Sequence, residues 1–353
     1  MRKHIKVRLI DLSQTILIVH DEILNTNTLE QRLEYFSMCE EASKSISHYI
    51  NMDNRDFSSQ IALLESYRKE IFNLSKQELL NKSSFQKADS LIEDIINFLN
   101  LLPVKKEVVF LPYQASMWDS LESIWEAFMK DDNYYCSVVP IPYSEYQKEI
   151  NFWKPCYDGN NFPSNIPILN YNNFSLEEIK PDLGFIHNPY DETNFITRVD
   201  SDYYSYNLKN HIKNLVYVPY FNSGLKLNEK LENLSGYYHS DYLVFSSEFK
   251  ENTSMVSKIR DKILPLGSPK YDKVINTCKT DVVMPEQWKD KCSGKKIVIL
   301  NTTIKTLLDY KGNVLKKLNF LFFELKQHKD VVVIWRPHPL IKSTIEAMLP
   351  NLK

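Results

Sequence analysis

The sequence predicts an α/β protein in which two domains of the βαβ type follow a helical N-terminal region. The first hundred residues repeat apolar side chains at helical intervals, whereas beyond Pro103 short β-branched runs alternate with helix-like segments. At 353 residues, the chain is long enough for two domains of ordinary size. We place the helical region at residues 1–103, the first α/β domain at 104–260 and the second, partial one at 261–353.

Composition excludes several functional classes. The formal net charge is −2, so the basic surplus typical of nucleic-acid-binding proteins is missing, and we predict no nucleic-acid partner. Neither GxGxxG nor GxxxxGK[ST] occurs, which argues against a glycine-rich nucleotide loop. The cysteines are odd in number, widely spaced and without a CxxC pair, which favours reduced thiols in a cytoplasmic protein over a disulfide framework or a zinc site. They are Cys39, Cys136, Cys156, Cys278 and Cys292.

The helical region contains three or four amphipathic helices by periodicity. Apolar residues recur at helical spacing in Leu29–Tyr49, Phe57–Leu80 and Ser84–Leu102. A purely structural region is the main interpretation. The alternative is a partner-binding or peripheral membrane role, supported only by the basic residues near the N-terminus. No stretch approaches the roughly 18 apolar residues of a membrane span, and the N-terminus does not resemble a signal peptide.

The first α/β domain begins with a strand at Glu107–Leu111 and a helix after it. Ser116, followed three residues later by Asp119, resembles a capping box, and the free N–H groups of such a helix start could bind an anion. Residues Tyr143–Tyr171 are rich in Asn, Pro and Tyr, which indicates a long loop, with a position over a substrate cleft as one interpretation. Further strands are predicted at Cys136–Pro140, Pro181–Ile186, Leu215–Val218 and Tyr242–Phe245, and helices at Leu225–Leu234 and Glu248–Ile259.

Two polar segments follow predicted strands in the middle of the chain. Strand Pro181–Ile186 runs directly into His187 and Asn188. Strand Ile263–Leu266 runs into the turn Gly267–Asp272, where glycine frees the backbone and Lys270 supplies charge. This turn either meets a ligand or is an ordinary turn, and spacing alone favours the second interpretation.

The second domain has a strand at Lys296–Leu300, a helix at Lys311–Lys329 and a strand beginning at Val331. The last run, VVVIW, is β-branched at its first four positions and predicts a strand buried on both faces. The prolines in Arg336-Pro337-His338-Pro339 then end it, because proline cannot donate to a sheet ladder. Arg336 and His338 should therefore follow the carboxyl end of a strand, where α/β proteins bind ligands, and an Arg with a His suits a phosphate. The alternative is an Arg336–carboxylate pair with His338 in a turn.

Few strands remain for the second domain. After a helix-like segment at Lys342–Leu349 the sequence stops, with two or three strands where doubly wound domains have five or six. We expect either a fragment or a naturally shortened gene product.

Several stretches, taken in order, resemble the CDP-glycerol glycerophosphotransferase family of teichoic acid synthesis. They are LPYQASMWDSLESIW, IPYSEYQKE, FIHNPYDETN, VYVPYF, DYLVFSSEF, LGSPKYDK, KKIVILNTT and WRPHPL, within residues 105–345. The resemblance implies two Rossmann-like domains facing a cleft, the GT-B arrangement, with the acceptor in the first domain and CDP-glycerol in the second. The family's later Asp-x-Ser-Ser segment has no counterpart here, and the small residues that follow the family's histidine are replaced after His187.

The resemblance also implies roles for individual residues. His187 is the candidate general base for the acceptor hydroxyl, and His338 is the second catalytic candidate; the roles of the two histidines could also be exchanged. The donor phosphates would be bound by Arg336, Lys270, Ser268, Thr302 and Thr303. The acceptor side would be formed by Ser116, Asn188 and Asp191. No Asp-x-Asp pair lies at a strand end, so we predict no metal and no cofactor besides the CDP-glycerol substrate.

The predicted activity is transfer of glycerol phosphate, or a related polyol phosphate, to a polymer or lipid-linked acceptor with release of CMP. The expected location is the cytoplasm, with peripheral contact to the inner face of the plasma membrane as an option. Two alternatives stay open. One is a nucleotide-sugar glycosyltransferase or epimerase of the same fold, and the other is an inactive, truncated remnant that binds a partner.

Overall fold

The computed structural model of the chain describes residues 1–53, 55–147, 150–221, 234–247, 258–279, 283–303, 312–338 and 341–342. These form two compact units. The first comprises Met1–Tyr146 with Trp153–Lys273, and the second Gln147–Phe152 with Val274–Lys353. The helical region and the first parallel sheet therefore belong to one unit. The predicted helices 225–234, 248–259 and 342–349 lie largely outside the described residues.

Four long helices form the N-terminal region, as the apolar periodicity predicts. They are α1 (Lys3–Asn25), α2 (Leu29–Asn51), α3 (Ser58–Leu74) and α4 (Gln86–Leu101). Thr28 caps α2 by accepting a hydrogen bond from the Gln31 backbone N–H, which satisfies one of the free donors at the helix start. The buried stripes of all four helices share one hydrophobic cluster. None of the helices in the described part of the chain is long and apolar enough to cross a membrane.

The helical region is joined to the first sheet by a buried ion pair. Arg2 donates from Nε and Nη2 to the two carboxylate oxygens of Glu107, at 2.9 and 3.0 Å. Glu107 is only 2 % exposed, and the Arg2 guanidinium also lies 4.1 Å from the centre of the Tyr135 ring. Burial opposes ionisation of Glu107, but hydrogen bonds from His4 and Arg2 outweigh it, so the pKa of Glu107 lies below its ordinary value.

Eleven strands follow the helices within the described ranges of the chain. They are β1 (Lys106–Phe110), β2 (Tyr134–Val138), β3 (Tyr143–Gln147), β4 (Phe152–Cys156), β5 (Leu183–Ile186), β6 (Thr197–Val199), β7 (Asn214–Tyr217), β8 (Tyr242–Val244), β9 (Ile263–Leu264), β10 (Lys296–Thr302) and β11 (Val331–Pro337). The shorter helices are α5 (Glu122–Met129), α6 (Leu176–Ile179), α7 (Ser205–His211), α8 (Ser235–His239), α9 (Pro269–Cys278), α10 (Glu286–Cys292) and α11 (Gly312–Lys326).

The main sheet has six parallel strands in the order β2-β1-β5-β7-β8-β9. The α/β class, with parallel Rossmann-like sheets preceded by helices, is thereby confirmed. Strand β9 pairs with β8 through Leu243↔Ile263 and Val244↔Leu264. It is thus the edge strand of the first sheet, although the sequence analysis assigned residues 261–264 to the second domain. A two-residue strand carries too little periodicity to show which sheet it joins.

Hydrophobic layers cover both faces of this sheet. On one face Leu215, Tyr217 and Leu243 pack with residues of α7 and α8. On the other, Phe110 and Phe185 stack at 4.8 Å and pack near Trp118 and Trp125, which flank the start of α5. Successive residues of each strand pack alternately into the two layers, as expected for strands buried on both sides.

The segment predicted as a long loop at Tyr143–Tyr171 contains regular structure. Strands β3 and β4 form a three-stranded sheet with β6, in which Tyr143 pairs with Val199 in an antiparallel register. The loop prediction was wrong over these strands, because they are short and carry no clear alternation. Pro155 is tolerated within β4 since β4 lies at the sheet edge.

In the second unit β10 and β11 pair in parallel from Lys296↔Val331 to Thr302↔Pro337. Phe322 of α11 packs edge-on against Trp335 at 5.8 Å. Two details differ from the sequence-based expectation. Residues Val331–Ile334 are half-buried rather than fully buried, and the strand continues through Arg336 to Pro337 before it ends.

Candidate functional site

The topology of the main sheet defines a crevice at one point of its carboxyl edge. From β1 the chain crosses to β2 on one side, whereas from β5 it continues through β7, β8 and β9 on the other. Strands β1 and β5 are hydrogen-bonded neighbours, so the direction of strand succession reverses between them. In open α/β sheets, ligands bind outside the carboxyl ends of the strands at such a switch point. Tyr113 follows β1 here, and His187 follows β5.

His187 follows β5 at this switch point, and its side chain is completely buried. Its Nε2 accepts a hydrogen bond from the Tyr113 backbone N–H at 3.3 Å. The Ser120 hydroxyl donates its proton to the Met117 carbonyl at 2.7 Å. The Ser120 oxygen therefore accepts a hydrogen bond from His187 Nδ1, which lies 3.1 Å away. The imidazole is therefore neutral, with a proton on Nδ1, and both nitrogens are engaged within the protein.

Electrostatics support the same protonation state. Burial lowers the pKa of His187 to about 3; the Met117 carbonyl opposes this shift and the charge of Lys270 adds to it. A general base needs a nitrogen that faces the substrate hydroxyl and an appreciable proton affinity. The contacts of His187 favour a positioning role between Tyr113 and Ser120, and its role as base stays a prediction.

Lys270 forms an ion pair inside the first unit. Its ammonium lies 2.6 Å from both carboxylate oxygens of Asp119. Two further contacts join the same segments: Lys273 to Glu122 at 2.7 Å, and the Ser123 hydroxyl to Asp272 at 2.7 Å. Lys270 lies in the first turn of α9, which begins at Pro269, so the turn predicted through Asp272 ends earlier than expected. The start of α9 is thus fixed to Asp119 and to the first turn of α5.

The predicted donor residues are divided between the two units. Lys270 and Ser268 belong to the first unit, whereas Thr302, Thr303, Arg336 and His338 belong to the second. Gly267 has a φ of +100°, a conformation that L side chains rarely adopt, which explains the glycine at this turn. Phosphate binding by Lys270 and Ser268 stays a prediction, and a phosphate would have to compete with Asp119 for the Lys270 ammonium.

The capping box predicted at Ser116 is not formed. Residues Ala115–Ser120 make a 3-10 turn, Gln114 occupies the cap position without a side-chain bond, and Ser116 is exposed. The Asp158 carboxylate instead accepts from the Ala115 backbone N–H at 3.0 Å. The prediction was wrong because Asp119, the expected partner in the cap, pairs with Lys270, which is 151 residues away in sequence. A contribution of Ser116 to the acceptor side stays a prediction.

Asp191 and Asn188 are buried in the loop after β5. The Asp191 carboxylate accepts from the Ser205 backbone N–H at 3.0 Å and from the Ser205 hydroxyl at 2.6 Å. Burial raises the pKa of Asp191, while the hydrogen bonds from Ser205 and Ser235 oppose that shift. Asp191 therefore fixes the loop to the start of α7, and contact with an acceptor stays a prediction for both residues.

In the second unit, the β10–β11 register brings four predicted residues to one edge. Thr302 lies opposite Pro337, and its carbonyl accepts from the His338 backbone N–H at 3.0 Å. Arg336, one position earlier, and His338 are both exposed, and Thr303 follows Thr302 directly. The Trp335 indole donates to the Thr302 hydroxyl at 3.1 Å and fixes that side chain. These residues thus lie at the carboxyl ends of two parallel strands, with the Thr302 hydroxyl on the face of Trp335 and the Arg336 guanidinium on the opposite face.

A separate hydrophobic pocket of about 660 Å³ opens on the face of the first sheet beside α5. Phe128, Phe185, Val216 and Val244 contribute to its walls, and among the predicted site residues Ser268 lines it. Most of the lining is apolar and therefore suits a phosphate poorly, although Ser123 and Ser268 contribute hydroxyls. Among the described residues, no group of His, Cys, Asp and Glu side chains is arranged to hold a metal ion.

Sequence reasoning missed several residues of this region. Ser120 and Asp119 lie in the noted segment after β1 but were not assigned to the site, and Ser205 carried no signal. The tyrosines around His187 lie within the stretches that carry the resemblance, but they were not assigned to the site. Tyr113 packs edge-on against the His187 ring at 5.4 Å, and Tyr220 at 6.2 Å.

Comparisons with known proteins give a limited result. No family model matches the sequence, and no curated protein sequence matches it. Among solved structures, the UDP-bound MnaA protein of S. aureus has a TM-score of 0.42 at 12 % identity, covering 69 % of this chain and 66 % of that one. The UDP-GlcNAc 2-epimerase of Methanocaldococcus jannaschii, in complex with UDP-GlcNAc and UDP, has a TM-score of 0.41 at 15 % identity, with coverages of 70 % and 69 %.

A third structure, the UDP-N-acetylglucosamine 2-epimerase of Rickettsia bellii, has a TM-score of 0.37 at 15 % identity, with coverages of 69 % and 65 %. This chain thus spans about two thirds of the length of these proteins. At TM-scores of this size the similarity supports no conclusion about activity, substrate or partners.

Proposed function

We propose that this protein is an enzyme that acts on a nucleoside-diphosphate-activated substrate, with the diphosphate bound at the carboxyl ends of β10 and β11. The observation that carries the proposal is the register that places Arg336 opposite Asn301 and the His338 backbone against the Thr302 carbonyl, at the carboxyl ends of both strands. A guanidinium is always charged and presents several donors in one plane, which suits phosphate oxygens. The Thr303 hydroxyl would supply a further donor, whereas the Thr302 hydroxyl is held by Trp335 on the other face of the strand pair.

The specific reaction proposed is transfer of glycerol phosphate, or a related polyol phosphate, from its CDP-activated form to an acceptor hydroxyl. The bond between the two phosphorus centres is broken at the phosphate being transferred, a new phosphoester bond forms to the acceptor oxygen, and CMP leaves. Negative charge then increases on the departing phosphate, where fixed cations are most effective. Arg336 would stabilise that charge, and the acceptor would be a polymer or a lipid-linked glycerol.

Of the two candidate histidines, His338 is the better placed for proton transfer. It is exposed at the proposed phosphate edge, whereas the ring of His187 is buried with both nitrogens engaged. We therefore assign acid–base catalysis to His338 and positioning of the switch-point loop to His187. A His338→Ala variant should lose turnover by about 10²–10⁴-fold, whereas binding of the donor should weaken far less.

A second candidate is an enzyme that acts on a nucleotide sugar. It shares the diphosphate edge and differs in the nucleoside and in the group transferred. The observation that favours it is the pair of tyrosine rings packed against His187, because aromatic rings and hydroxyls suit a sugar as well as a polyol.

Nucleotide binding to purified protein separates the candidates. Isothermal titration should show that CDP and CDP-glycerol bind more tightly than UDP and UDP-N-acetylglucosamine; the reverse order would favour the second candidate. Arg336→Ala should weaken binding of the preferred nucleotide at least tenfold, since hydrogen bonds to charged groups contribute about 1.5–3 kcal/mol. Lys296→Ala is the matched control, because Lys296 lies at the opposite end of the same strand pair. No nucleotide binding, or equal losses in both variants, would refute the proposed edge.

A further inference from the structure

The three-stranded sheet β4-β3-β6 gathers an arginine, a serine and two aromatic rings on one of its faces. The register of β3 and β6 places Ser144 directly opposite Arg198, and Tyr146 lies two positions after Ser144 on the same face. The Trp153 ring of β4 lies 5.2 Å from the Tyr146 ring and 4.5 Å from the Arg198 guanidinium. We refer to this side of the sheet as the outer face, and it consists of Ser144, Tyr146, Trp153, Ile196 and Arg198.

The outer face is open to solvent, whereas the opposite face is buried. Tyr143 and Val199 lie opposite each other on the buried face, and the Tyr143 ring packs edge-on against Tyr113 at 5.4 Å. The small sheet is thus packed onto the loop after β1. On the outer face, by contrast, Tyr146 is 36 % and Ile196 50 % exposed, and the other three residues are half-buried. A ligand can therefore reach the outer face without any rearrangement of the core.

The Arg198 guanidinium has no counter-charge in the part of the chain that the structure describes. It forms no ion pair there, and its Nε is buried without a hydrogen-bond partner, whereas its two Nη nitrogens are not sealed off in this way. Arg55 provides the contrast. Its guanidinium lies 5.1 Å from the Phe57 ring, but it donates to both carboxylate oxygens of Asp53. Arg198 can therefore bind an anion without first releasing a carboxylate.

The residues of the outer face indicate the class of ligand. Residues directly opposite each other in an antiparallel pair have Cβ atoms about 5 Å apart, so the Ser144 hydroxyl and the Arg198 guanidinium can contact one phosphate group together. The neighbouring rings of Tyr146 and Trp153 suit the C–H groups of a sugar or polyol. Inorganic phosphate would leave these rings without a contact, and a neutral sugar would leave the charge of Arg198 unpaired.

We propose that the outer face binds a phosphorylated sugar or polyol, with its phosphate at Arg198 and Ser144 and its carbon skeleton against Tyr146 and Trp153. These four residues belong to the first unit, whereas the proposed diphosphate edge belongs to the second, so this is a separate site. In the proposed reaction the site would hold a phosphate-bearing part of the acceptor. That role rests on the proposed function, but the ability to bind a phosphorylated sugar or polyol does not.

The indole N–H signal of Trp153 in NMR spectra of the full chain reports on the outer face. The variant Trp153→Phe identifies this signal among the five tryptophans. The probes are sn-glycerol 3-phosphate and glucose 6-phosphate. At least one of them should shift the Trp153 signal and bind at least threefold more tightly than inorganic phosphate. Glycerol and glucose, which carry no charge, should leave the signal unchanged at the same concentrations.

Variants of the two phosphate-binding residues test their roles. Arg198→Gln should weaken binding of the probe about tenfold or more, because it removes a charged donor, and Ser144→Ala should weaken it about threefold to tenfold. Arg55→Gln is the matched control, since Arg55 also packs against a ring but is already paired with Asp53. This control should bind the probe as the wild type does.

Other results would overturn the proposal. The outer face is not a site if neither probe shifts the Trp153 signal, or if Arg198→Gln binds as tightly as Arg55→Gln. Equal affinity for inorganic phosphate would show that the rings contribute nothing, which contradicts the assignment to a sugar or polyol. Should Arg198→Gln fail to fold, Ser144→Ala decides the question, and unchanged binding in that variant counts against the proposal.

Titration of the same proteins with CDP separates this proposal from the preceding one. A probe-induced shift of Trp153 without nucleotide binding would refute the proposed function alone. Nucleotide binding without a probe-induced shift of Trp153 would refute the outer face alone.

Discussion

Acidification should destabilise the protein through His187, because the folded state holds this side chain in its neutral form. The pKa of His187 is about 3 in the folded chain, against an ordinary value of 6.5. Between these two values the unfolded chain binds a proton at His187 and the folded chain does not. The free energy of unfolding therefore falls as the pH decreases below 6.5, and the contribution of His187 is fully present above that pH.

The size of this effect follows from the pKa difference. One unit of pKa shift corresponds to about 1.4 kcal/mol, so at pH 5, about 1.5 units below the ordinary value, His187 alone should remove about 2 kcal/mol. That is a considerable fraction of the roughly 5–15 kcal/mol by which folded domains are stable.

Urea unfolding of the wild type and of His187→Gln, each at pH 7.5 and pH 5, measures this contribution. Glutamine can still accept from the Tyr113 backbone N–H but does not titrate, so the variant serves as its own control for other groups. We expect the wild type to lose about 2 kcal/mol more than the variant on acidification. Equal losses, or a His187 NMR signal that titrates near 6.5, would refute the argument.

The same variant tests the catalytic role. A positioning residue replaced by glutamine should retain turnover within about tenfold, whereas loss of a general base costs about 10²–10⁴-fold.

The remaining predictions concern stability and thiol chemistry. Arg2→Ala should destabilise the chain by about 3 kcal/mol, because it leaves the Glu107 carboxylate buried without its partner. The double replacement Arg2→Met with Glu107→Leu should restore most of that loss in urea unfolding. Equal stability of both variants would contradict this. Cys278 is exposed and should react with a thiol reagent in the folded protein, while Cys39, whose pKa burial raises to about 11, should react only after unfolding. Mass spectrometry of the labelled peptides measures the order, and simultaneous labelling would show that Cys39 is accessible.

Much of the architecture could be predicted from the sequence, because it depends on local patterns. The β-branched run after Val331 and the apolar periodicity of the first hundred residues indicate their own secondary structure. Where a strand is followed by proline and a basic residue, the sequence also places the basic side chain at the carboxyl end of the strand. The position of Arg336 and His338 at the carboxyl end of β11 could therefore be expected before the register was known.

The environment of His187 could not be predicted, because it depends on contacts between distant segments. Its burial depends on Ser120, which lies 67 residues away, and Lys270 is paired with a carboxylate 151 residues away. A sequence pattern shows that a histidine follows a strand, but not whether its nitrogens face a ligand or the protein interior. The short strands β3 and β4 were not predicted for a different reason. Five residues without alternation of apolar and polar side chains resemble a loop.

The ion pair between Lys270 and Asp119 limits which anions can bind at the start of α9. The lysine already has a full negative charge at 2.6 Å from both oxygens. A singly charged anion such as chloride or acetate attracts the Lys270 ammonium no more strongly than this carboxylate does. It would also have to displace the carboxylate. Only a species with a higher charge density, or one held at the same time by other groups, can exchange for it. We therefore expect that the ordinary singly charged anions of the cell do not bind at Lys270.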